Sequence, residues 1–80
     1  MSEAEQILRS MRENPSRGWE VADVKRVCKR YGIRCDAPKV GSHYVVSHPR
    51  VQGLLTIPYE RPLKPLHIML VVQLIDGLLE

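Results

Sequence analysis

The chain has 80 residues, of which 44% are hydrophobic and 26% charged, a composition typical of a folded globular domain and not of a disordered or fibrous chain. The length fits one domain, residues 1–80, with little material for a thick core. The net charge is +3, and no segment resembles a signal peptide or a membrane span, so we expect a cytoplasmic protein that does not contact the membrane.

The first predicted element is a short helix at the N-terminus. Ser2 and Glu5 stand at the spacing of a capping box, in which each side chain satisfies a backbone amide of the first helical turn. Ile7, Leu8 and Met11 would share one side of this helix. Residues 14–18 (NPSRG) then contain enough helix-breaking residues to end it and form a loop. We treat residues 1–18 as an extension of a core domain spanning residues 19–78.

A second helix is predicted to begin after Glu20 and to end at Gly32. Its apolar residues recur every three or four positions, which gives a helix with one buried stripe; they are Val21, Val24, Val27, Cys28 and Tyr31. Lys25 and Lys29, like Arg26 and Arg30, form like-charged pairs at a spacing of four, which slightly destabilise an isolated helix. An anionic partner would relieve this repulsion, although a solvated face is the commoner explanation.

Three strands and a third helix follow. Residues 33–36, 44–47 and 54–57 are predicted strands, and the last two, joined by a turn at 49–53, should pair antiparallel. Pro65 suits the first turn of a helix, and the apolar residues from Leu66 onwards follow a helical rhythm that we expect to end near Gly77. The predicted fold is therefore α+β: an α-β-β-β-α domain like the double-stranded RNA-binding fold, with an extra N-terminal helix and its helices packed on one face of a three-stranded antiparallel sheet.

The positive charge is concentrated in the middle of the chain. Residues 14–64 carry ten basic and four acidic side chains, a balance of +6, which is compatible with a polyanionic partner such as RNA. Cys28 and Cys35 lack both metal-ligand spacing and a CxxC arrangement, so we expect two small core residues with free thiols. The spacings of His43, His48 and Cys35 match no zinc-ligand pattern. We therefore expect no metal or cofactor.

An ordered set of short motifs resembles the HicA-type toxins of bacterial toxin-antitoxin pairs. The motifs are WEVADVK at residues 19–25, RYGI at 30–33, GSHY at 41–44, HP at 48–49, TIP at 56–58 and LKP at 63–65. The resemblance implies a cofactor-independent endoribonuclease that cleaves messenger RNA and is neutralised by a HicB-type antitoxin. It also implies that His43, in Gly-Ser-His, is catalytic. Members of the family often have a second histidine after the third strand, where this chain has Tyr59.

The candidate RNA-binding residues surround His43 in sequence or lie on the basic helix. Gly41 permits close backbone approach, and the Ser42 hydroxyl can bind a phosphate oxygen. The basic candidates are Lys25, Lys29, Arg30, Lys39, Arg61 and Lys64.

Other functions remain open from the sequence. A non-catalytic RNA-binding module would use the same basic face, and a partner-binding protein would use the apolar last helix. His48 is expected to be a turn-capping or edge residue, and His67 to be a surface or satisfied core residue. Both a homo-oligomer and a toxin-antitoxin complex are compatible with the sequence.

Overall fold

The computed structural model describes residues 2–38 and 41–79. The helices are α1 (Glu3–Glu13), α2 (Val21–Arg30) and α3 (Pro65–Leu79), and the strands are β1 (Arg34–Asp36), β2 (His43–Ser47) and β3 (Leu55–Pro58). The strands form one antiparallel sheet in the order β1-β2-β3. The predicted α+β class and element order are confirmed, and no strand boundary differs from the predicted one by more than a single residue. Helix α3 continues two residues past its expected end, because Gly77 remains helical and Leu78 packs against the core.

The register of the sheet separates two chemically different faces. Cys35 pairs with Val46, and Tyr44 pairs with Ile57; these residues share the face that the helices cover, since directly paired residues point the same way. The other face is open to solvent. It carries Arg34, Asp36, His43, Val45, Ser47, Thr56 and Pro58, all of them exposed or half-buried.

The core lies between the sheet and the helices. Helix α2 packs against β1, and α3 packs against β3. Val27, Val46, Ile68, Val71 and Ile75 are at most 1% exposed, so α2, β2 and α3 meet in one close-packed interior. The helical stripe of α2 predicted from its periodicity is the buried one.

Helix α1 packs mainly against α2 and α3. Ser2 caps it, with the Glu5 amide donating to the serine Oγ at 3.2 Å, and the Ser2 hydroxyl donates to the Glu5 carboxylate at 3.1 Å. These contacts with Ser2 hold the pKa of Glu5 below its ordinary value. Leu8 and Met11 are buried, and the Trp19 indole donates to the Asn14 carbonyl at 2.9 Å. The N-terminal helix is therefore built into the same core as the rest of the domain.

The two cysteines face each other between α2 and β1. Cys28 is buried and Cys35 half-buried, and both are free thiols. The hydrogen bond with Cys35, together with burial, raises the pKa of the Cys28 thiol well above its ordinary value. The same hydrogen bond, received from Cys28, lowers the pKa of Cys35 with help from the positive charge of Lys25, although burial and Asp36 oppose the shift. Two core thiols in contact agree with the packing role predicted from the sequence.

Candidate nucleic-acid interface

His43 is the first residue of β2, one residue earlier than the predicted strand. It pairs with Pro58 of β3, and the alternation of the strand directs its side chain to the open face of the sheet. The side chain is exposed. Within residues 2–38 and 41–79, no group forms a hydrogen bond or ion pair with the imidazole. No described residue therefore occupies either ring nitrogen, and both can bind a ligand.

The backbone on either side of His43 is held at a defined place. Gly41 has φ +86°, a left-handed conformation that residues with a Cβ rarely adopt. A Cβ at this position would meet no atom within 4 Å, so it is the conformation of the backbone that favours glycine. The Ser42 carbonyl accepts a hydrogen bond from the Tyr59 amide at 2.6 Å. This bond fastens the start of β2 to the segment that follows β3.

A pair of tyrosines lies at the same end of the sheet, on the face opposite His43. The rings of Tyr44 and Tyr59 are stacked, with centroids 5.9 Å apart and planes inclined by 23°. Tyr44 is only 9% exposed, whereas Tyr59 is 47% exposed. The Lys25 ammonium lies 5.0 Å from the centre of the Tyr44 ring, and the Arg61 guanidinium 6.0 Å from that of Tyr59. Aromatic faces and cations therefore alternate at this site.

These side chains form the wall of a cleft of about 200 Å³ between the start of α2 and the end of the sheet. The carboxyl-bearing residues of the cleft are Glu20 and Glu60. Glu20 approaches the Arg61 guanidinium at 3.8 Å, and both side chains are more than half exposed, so the pair is weak. The lining residues are Glu20, Val21, Ala22, Lys25, Tyr44, Tyr59, Glu60 and Arg61. Hence the cleft balances two basic against two acidic side chains.

The cleft, which we call the tyrosine cleft, was not foreseen from the sequence. Because Tyr44 pairs with Ile57, Tyr59 is its diagonal neighbour two residues further on, and such neighbours lie within reach of aromatic side chains. The correct register of β2 and β3 would therefore have predicted the stacking. The strand register could not have placed Lys25 in the cleft, because Lys25 comes from α2.

The predicted RNA-binding residues occupy different places. Lys25 and Arg61 line the tyrosine cleft, and Ser42 lies beside His43 at the same end of the sheet. Lys29 lies one turn further along α2, in a shallow recess shared with Glu3 and Arg26. Lys64 is exposed at the start of α3, where its carbonyl accepts the His67 amide at 3.0 Å. Arg30 lies at the end of α2 beside α1, and Lys39 lies outside the described residues.

The basic face of α2 is partly neutralised by the first turn of α1. The Arg26 guanidinium contacts the Glu3 carboxylate at 2.6 Å, and that of Arg30 contacts Glu5 at 3.5 Å. The Arg30 guanidinium also lies 5.5 Å from the centre of the Tyr31 ring. These pairs are largely exposed, so each contributes little to stability. They nevertheless offset the like-charge repulsion that the sequence alone showed along this helix.

The other two histidines have local explanations. The Nδ1 atom of His48 accepts the Arg50 amide at 3.0 Å, which confirms that His48 caps the turn after β2. The prediction that a buried His67 would have its hydrogen bonds satisfied was wrong. This side chain is half-buried, and its Nδ1 atom is enclosed without a hydrogen-bond partner among the described residues.

The described residues contain no group of three His, Cys, Asp or Glu side chains placed to hold a metal ion. Cys35 lies on the core-facing side of the sheet and His43 on the open side, so the two cannot converge on one ion. No helix in residues 2–38 and 41–79 combines the length and the apolar character needed to cross a membrane.

Neither a family model, nor a curated protein, nor a solved structure matches this chain.

Proposed function

We propose that the chain is a HicA-type toxin, an endoribonuclease that cleaves messenger RNA in the cytoplasm with His43 as its catalytic group. The observation that carries the proposal is the exposed imidazole of His43. His43 directly follows Ser42 in the chain, and its side chain lies on the open face of the sheet without a partner in the described part of the chain. The motif resemblance supports the same residue, and the α+β fold is compatible with a domain like the double-stranded RNA-binding fold.

The chemistry needs few protein groups, because RNA carries its own nucleophile. An imidazole is the commonest general base in proteins, so His43 can accept the proton of a ribose 2′-hydroxyl. The 2′-oxygen then forms a bond to the adjacent phosphorus, and the bond from phosphorus to the 5′-oxygen breaks. Water, or a lysine such as Lys39, protonates the departing oxygen. The products carry a 2′,3′-cyclic phosphate, or the 3′-phosphate that its hydrolysis gives, and a 5′-hydroxyl.

Ser42 and the basic side chains would hold the substrate. The Ser42 side chain is exposed, one residue before His43 in the chain, and its hydroxyl can donate to a phosphate oxygen. Lys25, Lys29, Arg30, Arg61 and Lys64 are all exposed and can contact phosphates along the strand, as Lys39 is also proposed to do. A HicB-type antitoxin would neutralise the toxin, alone or within an oligomer.

The test compares His43→Ala with His48→Ala, which removes the same side chain from a turn. Inducing the wild-type chain should arrest bacterial growth with loss of messenger RNA, and purified protein should cleave RNA in excess EDTA. His48→Ala should arrest growth and cleave RNA as the wild type does. His43→Ala should fold normally and lose about 10²- to 10⁴-fold in cleavage rate, the contribution of one general base. A folded His43→Ala variant that cleaves at the wild-type rate would refute the assignment.

A non-catalytic RNA-binding module is the second candidate, and the exposed cations on α2 favour it as much as they favour a nuclease. The same experiment separates the two functions. The binding module predicts that both wild type and His43→Ala bind RNA and that neither cleaves it. A third candidate, a protein that binds partners through its last helix, is favoured by the 61% and 48% exposure of Leu66 and Met69 on α3.

A further inference from the structure

We infer that the tyrosine cleft is a stacking site for one unpaired base of single-stranded RNA, with Tyr59 as the platform. The inference rests on the proposed function for its substrate class, and it adds a binding site that is separate from His43. The first supporting observation is the exposure of Tyr59. The residue is 47% exposed although its ring is stacked on the nearly buried Tyr44, so the position of the ring is fixed while much of the residue remains accessible.

A fixed aromatic surface is what a base requires. Every base has a π-face, and stacking on an aromatic side chain is the common way in which single-stranded RNA is held. Tyr59 is anchored by its amide hydrogen bond to the Ser42 carbonyl at 2.6 Å and by the Tyr44 ring below it. The fold therefore holds the ring in place before RNA binds, so little side-chain entropy is lost on binding.

The charges of the cleft favour a base over a phosphate. Lys25 and Arg61 are offset by Glu20 and Glu60, which line the same space. These carboxylates would repel a phosphate that entered the cleft, whereas they would not repel an uncharged base. Arg61 contacts Glu20 at 3.8 Å and lies 6.0 Å from the centre of the Tyr59 ring. Both contacts are weak and exposed to solvent, so the guanidinium can move off the ring to admit a base and bind the backbone of the same nucleotide.

The position of the cleft connects it with His43. Tyr44 follows His43 in β2, so their side chains leave the strand on opposite faces, and the backbones of Ser42 and Tyr59 are hydrogen-bonded. An RNA strand with one base on Tyr59 would therefore pass over the end of the sheet to bring a neighbouring phosphate towards His43. The stacking interaction itself touches no reacting atom, so it should affect binding more than the chemical step.

Binding is measured in the His43→Ala background, so that cleavage does not interfere. The probe is a fluorescent single-stranded RNA of about 12 nucleotides, within the range of site sizes for single-strand binding domains. Tyr59→Leu keeps apolar volume and removes the π-face, and Tyr59→Phe keeps the ring as the matched control. Tyr31→Leu removes another tyrosine that lies beside an arginine, away from the cleft. Circular dichroism checks that each variant is folded.

We expect Tyr59→Leu to weaken binding about 5- to 150-fold, the loss that corresponds to one stacked base, with Tyr59→Phe and Tyr31→Leu close to the parent. The slope of log affinity against log salt should not change, because the same number of phosphates stays neutralised by the protein. RNAs with 2-aminopurine at successive positions should show one site whose fluorescence is quenched by the Tyr59 protein and not by Tyr59→Leu.

Three results would overturn the inference. Tyr59→Leu could bind RNA as tightly as its parent, or neither protein could bind RNA detectably. Either result would indicate that the cleft binds a protein partner instead of RNA. Equal losses in Tyr59→Leu and Tyr59→Phe would implicate the hydroxyl instead of the ring face. A shallower salt slope in Tyr59→Leu would indicate a phosphate at this site. Each differs from failure of the proposed nuclease, which would show as intact RNA in the wild-type cleavage assay whatever Tyr59 does.

Discussion

Replacing Met11 by alanine tests whether α1 belongs to the folding unit. Met11 is 0% exposed and is among the largest fully buried side chains, although it lies in a segment outside the motif-bearing core. Truncation of a fully buried methionine costs about 2 to 5 kcal/mol, because the lost transfer energy adds to that of the cavity left behind. A domain of this length has a total stability of about 4 to 12 kcal/mol, so Met11→Ala should remove a large part of it.

The matched control is Met69→Ala, which makes the same change at a side chain that is 48% exposed on α3. It should cost about 1 kcal/mol or less. Urea unfolding reports both variants, with Trp19 as the probe, since it is the single tryptophan and is 7% exposed. If the Met11→Ala cost is about 3 kcal/mol, its melting temperature should fall by about 12 to 24 °C. Equal, small losses in both variants would refute the claim that α1 completes the core.

Two further predictions concern the thiols and the basic face. Because its pKa is lowered, Cys35 should form thiolate and react with iodoacetamide at a lower pH than an ordinary cysteine, whereas buried Cys28 should react only after unfolding. Peptide mass spectrometry distinguishes the two labelled cysteines. Rapid labelling of Cys28 in the native protein would contradict the packing. Changing Lys29 and Arg30 together to Gln should make the salt dependence of RNA binding shallower by about 0.7 for each phosphate of a single strand that the variant no longer neutralises. Arg30 already contacts Glu5, so we expect most of this change to come from Lys29, and an unchanged slope would identify the face as ordinary solvated surface.

Local signals were enough to predict the elements of this domain. The Ser2 and Glu5 capping box marks the start of α1, and the three-and-four spacing from Val21 defines the buried stripe of α2, which ends before Gly32. These features could be predicted because capping and periodicity act between residues a few positions apart. His43 could likewise be selected from its place in Gly-Ser-His and from the motif resemblance, although its role stays a prediction.

The tertiary structure decided which residues meet. The register of β2 against β3 brings Tyr44 and Tyr59 together and places His43 on the opposite, open face; the packing of α1 on α2 directs Glu3 to Arg26. Such contacts join segments far apart in sequence, and they depend on how several apolar surfaces are buried at once. Periodicity shows which side of each element is buried, but only the assembled core determines the partner of that side.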